Sequence, residues 1–129
     1  MNRAVELLRK CGVFFLATNA NEQPKVRPFG AVANINGKLY ICTANPKECF
    51  KQMIENPKVE IAAMLNNEDW IRICGTVKQD TSVESKTEFL KQAPVPGYTP
   101  EDGIFEILYF EQGTVDIYSF SREPEHFEL

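Results

Sequence analysis

Asn36-Gly37 stands between two runs rich in strand-forming residues, "VRPFGAVANI" and "KLYICT". A two-residue type I′ turn needs positive φ at both central positions, which asparagine and glycine tolerate best. The pair therefore predicts a tight hairpin in which residues 26–35 and 38–43 run antiparallel. Pro28 has no N–H to give to a ladder, so the first run must carry a bulge or lie at an edge there.

Five further stretches read as strands: "VFFLAT" (13–18), "VEIAAML" (59–65), "WIRICGTVKQ" (70–79), "IFEILYF" (104–110) and "TVDIYSF" (114–120). The last two are expected to join through Glu111-Gln112-Gly113, and the polar "NANEQPK" (19–25) reads as a turn-rich connection. Three short helices complete the pattern. Residues 3–10 are amphipathic and end at Gly12. Asn45-Pro46 suits the N-cap and first position of a second helix, which stops at Asn56-Pro57. A polar helix around 82–92 precedes the loop "APVPGYTPEDG".

Parallel βαβ units would need a helix between most successive strands, and here most connections are short. The pattern predicts a mainly β (α+β) chain of about six strands, a closed or partly closed antiparallel barrel with short peripheral helices. No repeat or linker divides it, so residues 1–129 are expected to form one domain. A chain of that length buries about two thirds of its unfolded surface and needs no disulfide or metal staple.

A net charge of −4 argues against nucleic acid or an anionic membrane as partner. The apolar run 13–17 is far too brief to span a bilayer and no cleavage pattern follows it, so a cytoplasmic protein is expected. Cys11, Cys42, Cys49 and Cys74 show no C-x-x-C spacing and no neighbouring histidine, so they read as small apolar thiols rather than zinc ligands. The single histidine, His126, lies in the acidic stretch "SREPEHFEL" and is expected to face solvent. No nucleophile–histidine pair, metal cluster or carboxylate couple stands in a motif.

The positive charges around the second helix remain. A helix N-terminus already carries about half a positive charge, so Lys47 there, with Lys51 one turn on, opposes the dipole by roughly 0.3–1 kcal/mol. On this stretch alone, two solvated surface lysines balanced by Glu48 and Glu55 are the favoured reading. A bound phosphate would instead offset it, through charge-assisted bonds to both amines with Thr43 and Asn45 alongside. Arg27 and Phe29 share one face of their strand, and the hairpin carries them toward that corner. A planar cation, a ring and a phosphate cradle suit a flat aromatic ligand with a phosphate tail.

The ordered set "RPF", hairpin, "LYICTANPK", "KQMIENPKVEI", "WIRICGTV" and the late "PGYTPEDGIFEI" resembles the pyridoxamine 5′-phosphate oxidase-like FMN-binding split barrels, over nearly the whole chain. More narrowly it is similar to their small general-stress-protein and nitroimidazole-resistance-like members. The resemblance implies a six-stranded split barrel that forms a homodimer, with FMN in two clefts at the interface. By that resemblance Arg27, Pro28 and Phe29 line the isoalloxazine, and Thr43, Asn45 and Lys47 hold the phosphate. Lys51 and Gln52 are further contacts, and Trp70 and Arg72 reach the flavin from the second subunit. Simple core or dimer packing explains Trp70 as well. The flavin supplies the redox chemistry that the side chains lack, with Arg27 as the donor at the ring edge. True pyridoxamine-phosphate oxidases are longer and grip the substrate phosphate with basic C-terminal residues, where this chain has only Arg122 and His126. The implied activity is therefore electron transfer between FMN and a small organic or nitro-aromatic compound. The alternatives are a flavin carrier or sensor without turnover, and a barrel for another ligand.

Overall fold

The computed structural model describes residues 2–129. The Asn36-Gly37 hairpin is present: β3 (Val32–Ile35) pairs antiparallel with β4 (Lys38–Ala44), and the turn residues have φ of 54° and 75°. Its first arm is shorter than the sequence suggests. Residues 26–29 leave it and, together with residues 23–25 of the expected connection, form a separate strand, β2 (Gln23–Phe29), paired with β1 (Phe14–Ala20). The turn between them is Asn21-Glu22, both at positive φ (50° and 71°). Glutamate is no turn signal, so this second tight hairpin is hidden in the sequence. Pro24 and Pro28 both lie in β2, which is an edge strand, as Pro28 requires.

Beyond β4 come α2 (Glu48–Glu55), β5 (Lys58–Met64), β6 (Asp69–Asp80), α3 (Val83–Gln92), β7 (Phe105–Ser119) and β8 (Glu125–Glu128). The chain opens with α1 (Arg3–Cys11), whose Asn2 side chain caps the first N–H groups and whose last turn closes on Gly12. The eight strands follow the order β2-β1-β5-β6-β7-β4-β3, with β8 on β7. All pairings are antiparallel. The path ends, β2 and β3, are neighbours in the chain through Gly30-Ala31 yet share no ladder, so the sheet is not closed. The result is the expected antiparallel, split-barrel-like α+β fold with three short helices. It has eight strands rather than about six: the 26–35 run divides into β2 and β3, the 104–110 and 114–120 runs join as β7, and β8 is added.

Glu111-Gln112-Gly113 makes no turn. β7 runs through it as one 15-residue strand. The 12-residue β6 pairs along most of β7, and the register shifts between Thr76 and Val77 so that Glu111 is bulged out. Gly75 opposes Gly113 beside this bulge and the backbones come close together. Leu16, Ile41, Ile61, Ile73 and Val115 fill the interior, with Val5 and Leu8 of α1 packed in. A second cluster, Tyr40, Phe89, Phe105 and Ile107, lies under α3. Among the described residues no helix is long and apolar enough to cross a membrane.

A Cβ on residue 75 would lie 2.4 Å from the Gln112 carbonyl oxygen and 2.8 Å from the Phe110 ring. Gly75→Ala should therefore cost about 1–3 kcal/mol in denaturant unfolding, and an unshifted midpoint would show that the ladder yields there. On β8, the exposed His126 places Nδ1 2.6 Å from Asp116 Oδ1, a bond that raises the imidazole pKa above its ordinary value. A raised folded-state pKa stabilises fully below the unfolded value of about 6.5 and loses that effect as pH climbs through the folded value. Protection factors of β8 amides, corrected for intrinsic exchange, should fall across that window, and Asp116→Asn should flatten the profile.

Candidate functional site

Where the sheet fails to close, β2, β4 and the start of α2 surround a cleft of about 390 Å³. Arg27, Pro28 and Phe29 form one side, followed by Gly30 and Ala31. Cys42 and Thr43 of β4, then Lys47 and Cys49, form another, and residues 94–96 close it with Pro94, Val95 and Pro96. Alternation along β2 turns Arg27 and Phe29 inward and leaves Val26 and Pro28 exposed. The Phe29 ring rests 5.9 Å from that of Phe14, so its position is set by the core.

Arg27 is held on both terminal nitrogens. Nη1 donates to Thr18 Oγ1 at 2.8 Å and Nη2 to Gln52 Oε1 at 2.9 Å, while the Thr18 hydroxyl donates to the same Gln52 oxygen at 2.6 Å. The β1–β2 hairpin, not pairing with β4, brings this arginine to the corner. Thr43 is buried, and its hydroxyl has the Cys49 sulfur 3.3 Å away.

The second helix starts later than the sequence suggests. Asn45 does not cap it, because its amide donates to the Gly103 carbonyl at 2.7 Å and to Glu106 Oε2 at 2.9 Å. The Asn45 N–H is bonded to the Ile104 carbonyl as well. Lys47 becomes the N-cap, with no side-chain bond to the first turn. The opening N–H groups of α2 thus have no side-chain cap, at the mouth of a cleft that Lys47 and Thr43 also line. Burial pushes the Cys42 thiol up to about 12, and the nearby Lys47 charge opposes that rise. Among the described residues no carboxylate lines the cleft, so its field is positive and suits an anion.

Of the residues expected at a site, the structure brings together Arg27, Pro28, Phe29, Thr43 and Lys47. Gln52 touches it only through Arg27. Asn45 belongs to a buried polar group in which Glu106 also accepts from Gln79 at 3.0 Å and faces Lys86 at 3.8 Å. Lys51 is exposed, faces Glu48 at 3.7 Å, and borders a separate polar hollow. Trp70 and Arg72 lie on β6 away from this chain's cleft. Trp70 stacks on Tyr118 at 5.6 Å, and Arg72 Nε donates to Glu60 at 2.7 Å. Thr18, Cys42, Cys49 and the 94–96 wall carry no sequence signal beyond the proline-rich loop, since only folding assembles them.

The sequence profile of pyridoxamine 5′-phosphate oxidase matches residues 2–107. The chain belongs to this family. A NimC/NimA-family protein from Clostridium acetobutylicum shares 51% identity, over 98% of this chain and 91% of that one, with a TM-score of 0.94. Two more distant structures share the fold. A pyridoxamine 5′-phosphate oxidase-related, FMN-binding protein from Nostoc punctiforme has a TM-score of 0.58 at 16% identity, covering 99% of this chain and 90% of its own. A heme-binding protein from Mycobacterium smegmatis has a TM-score of 0.74 at 15% identity, covering 98% of this chain and 58% of its own. No curated protein matches the sequence significantly.

The Asn45 contacts fix where the loop before α2 sits in this chain. Asn45→Ala would leave the buried Glu106 and the Gly103 carbonyl short of a donor, at a cost of about 1–3 kcal/mol. Equilibrium unfolding should register that loss, whereas a residue serving only a ligand would leave stability unchanged.

Proposed function

We propose that this member of the family binds FMN in the open seam of the sheet and transfers electrons between it and a small organic or nitro-aromatic compound. The observation that carries the reading is the carboxylate-free cleft in which Arg27 and Lys47 meet an uncapped helix N-terminus. Its volume, about 390 Å³, falls in the usual range for a cofactor site. The residues suit the group chemically. Lys47, the Thr43 hydroxyl and the first N–H groups of α2 would hold the phosphate, with Phe29 and Pro28 as apolar contacts for the ring and Arg27 as its donor. When bound, FMN would supply the two-electron redox chemistry itself.

The second subunit enters the same proposal. Val26, Phe15 and Met64 on the strands and Phe120 just past β7 are 48–76% exposed, and Trp70 stands among them on β6. Such a face favours a homodimer, in which Trp70 and Arg72 of one subunit approach the other's cleft. In the cytoplasm the four free cysteines stay reduced thiols.

Protein as purified should absorb in the visible like a flavin and release FMN on heating. A reduced nicotinamide should bleach it, and air or a nitro compound should restore the colour; binding without bleaching would indicate a carrier instead. Lys47→Ala should weaken FMN by about 1.5–3 kcal/mol, the usual worth of a charged hydrogen bond. Unchanged affinity removes Lys47 from the site. Sedimentation as a monomer would remove the shared cleft.

A further inference from the structure

Resting on the flavin reading, we propose that Gln52, together with Thr18, is a positioning residue that presets Arg27 for the acceptor edge of the ring rather than a contact of its own to the ligand.

Three elements meet at this point. Thr18 comes from β1, Arg27 from β2 and Gln52 from α2, and their polar atoms close a ring with sides of 2.6, 2.8 and 2.9 Å. The Gln52 oxygen accepts from both partners, so it is committed inside the protein. Thr18 is buried, so its hydroxyl has no water to exchange with.

An arginine carries five N–H donors in a rigid plane. Nη1 gives to Thr18, and more weakly to the Leu16 and Lys25 carbonyls at 3.3 and 3.4 Å. Nη2 gives one N–H to Gln52. Among the described residues the Nε–H and the second Nη2–H of Arg27 have no acceptor, while Arg27 lines the cleft. Two attachment points fix the plane, and two parallel donors remain for the ligand. A carbonyl beside a ring nitrogen, as at the pyrimidine edge of a flavin, is the acceptor pair they match. That edge becomes more negative on reduction, so a fixed cation there favours the reduced form. α2 therefore governs both ends of the ligand: Lys47 at its N-terminus for the phosphate, and Gln52 within it for the ring.

The test has a ligand-free arm and a flavin arm. In ligand-free protein, ¹⁵N NMR should show separate, slowly exchanging terminal-nitrogen signals for Arg27. Gln52→Leu and Thr18→Val should average them, whereas Gln52→Glu, which keeps an acceptor, should preserve them. Near-UV circular dichroism and unfolding identify any variant that fails to fold, and the other apolar variant then decides. With FMN bound, Gln52→Leu should lower the preference for reduced over oxidised flavin about tenfold, and Gln52→Glu should restore part of it. Lys47→Ala should weaken both forms equally. Unchanged Arg27 signals in Gln52→Leu and Thr18→Val overturn the positioning role, whatever the flavin does. Preserved NMR behaviour of the wild type with no FMN binding would instead defeat the flavin reading and, with it, the ring-edge half of the proposal. A uniform loss of affinity in Gln52→Leu, without change in the redox preference, would make Gln52 a plain binding contact.

Discussion

Pro24 and Pro28 deprive β2 of two N–H groups, and a strand without them cannot serve as the middle of a ladder. β2 can bond to β1 on one side only, so the sheet has to end there. Its other end, β3, is just beyond Gly30-Ala31, close in the chain but not bonded. The seam that results is where the cleft lies. A closed barrel of the same strands would have filled that space with a ladder and excluded any ligand from it.

The rest of the architecture keeps the seam in shape. The long β6–β7 ladder, bulged at Glu111 and pinched at Gly75 and Gly113, supplies the curvature that brings β4 round toward β2. The buried Glu106 on β7 then holds Asn45, and so fixes where the chain leaves β4 and α2 begins. Glu106 also faces the buried Lys86 of α3, an arrangement in which removing either charge would leave the other buried without its counter-charge. The short helix thus has one anchor behind it and one cleft in front. Lys47 at its N-terminus and Gln52, which accepts from Arg27, tie the helix to both cations that line the cleft.

Local chemistry carried the sequence reading a long way. Asn36-Gly37 marked a hairpin because few residue pairs accept positive φ twice, and Gly12 and Asn56-Pro57 marked helix ends for equally local reasons. The inward face of Arg27 and Phe29 followed from the two-residue period of a strand. The second hairpin was invisible because Glu22 takes positive φ without any side-chain preference for it. Glu111-Gln112-Gly113 looked like a turn because the same residues serve a bulge when a long partner strand holds them straight. Asn45-Pro46 looked like a helix start, and tertiary bonds from residues 103–106 took the asparagine away.

What the sequence determined by itself was therefore the alphabet of the site: antiparallel strands, an arginine and a ring on one face, and lysines near a helix start. Those depend on φ preference and periodicity, which act over a few residues. Only the tertiary structure decided that Gln52 grips Arg27, that Lys51 and Asn45 stand outside the cleft, and that residues 94–96 wall it. Such choices depend on which distant donors meet which acceptors, a matter of sheet order and strand register that no short stretch encodes.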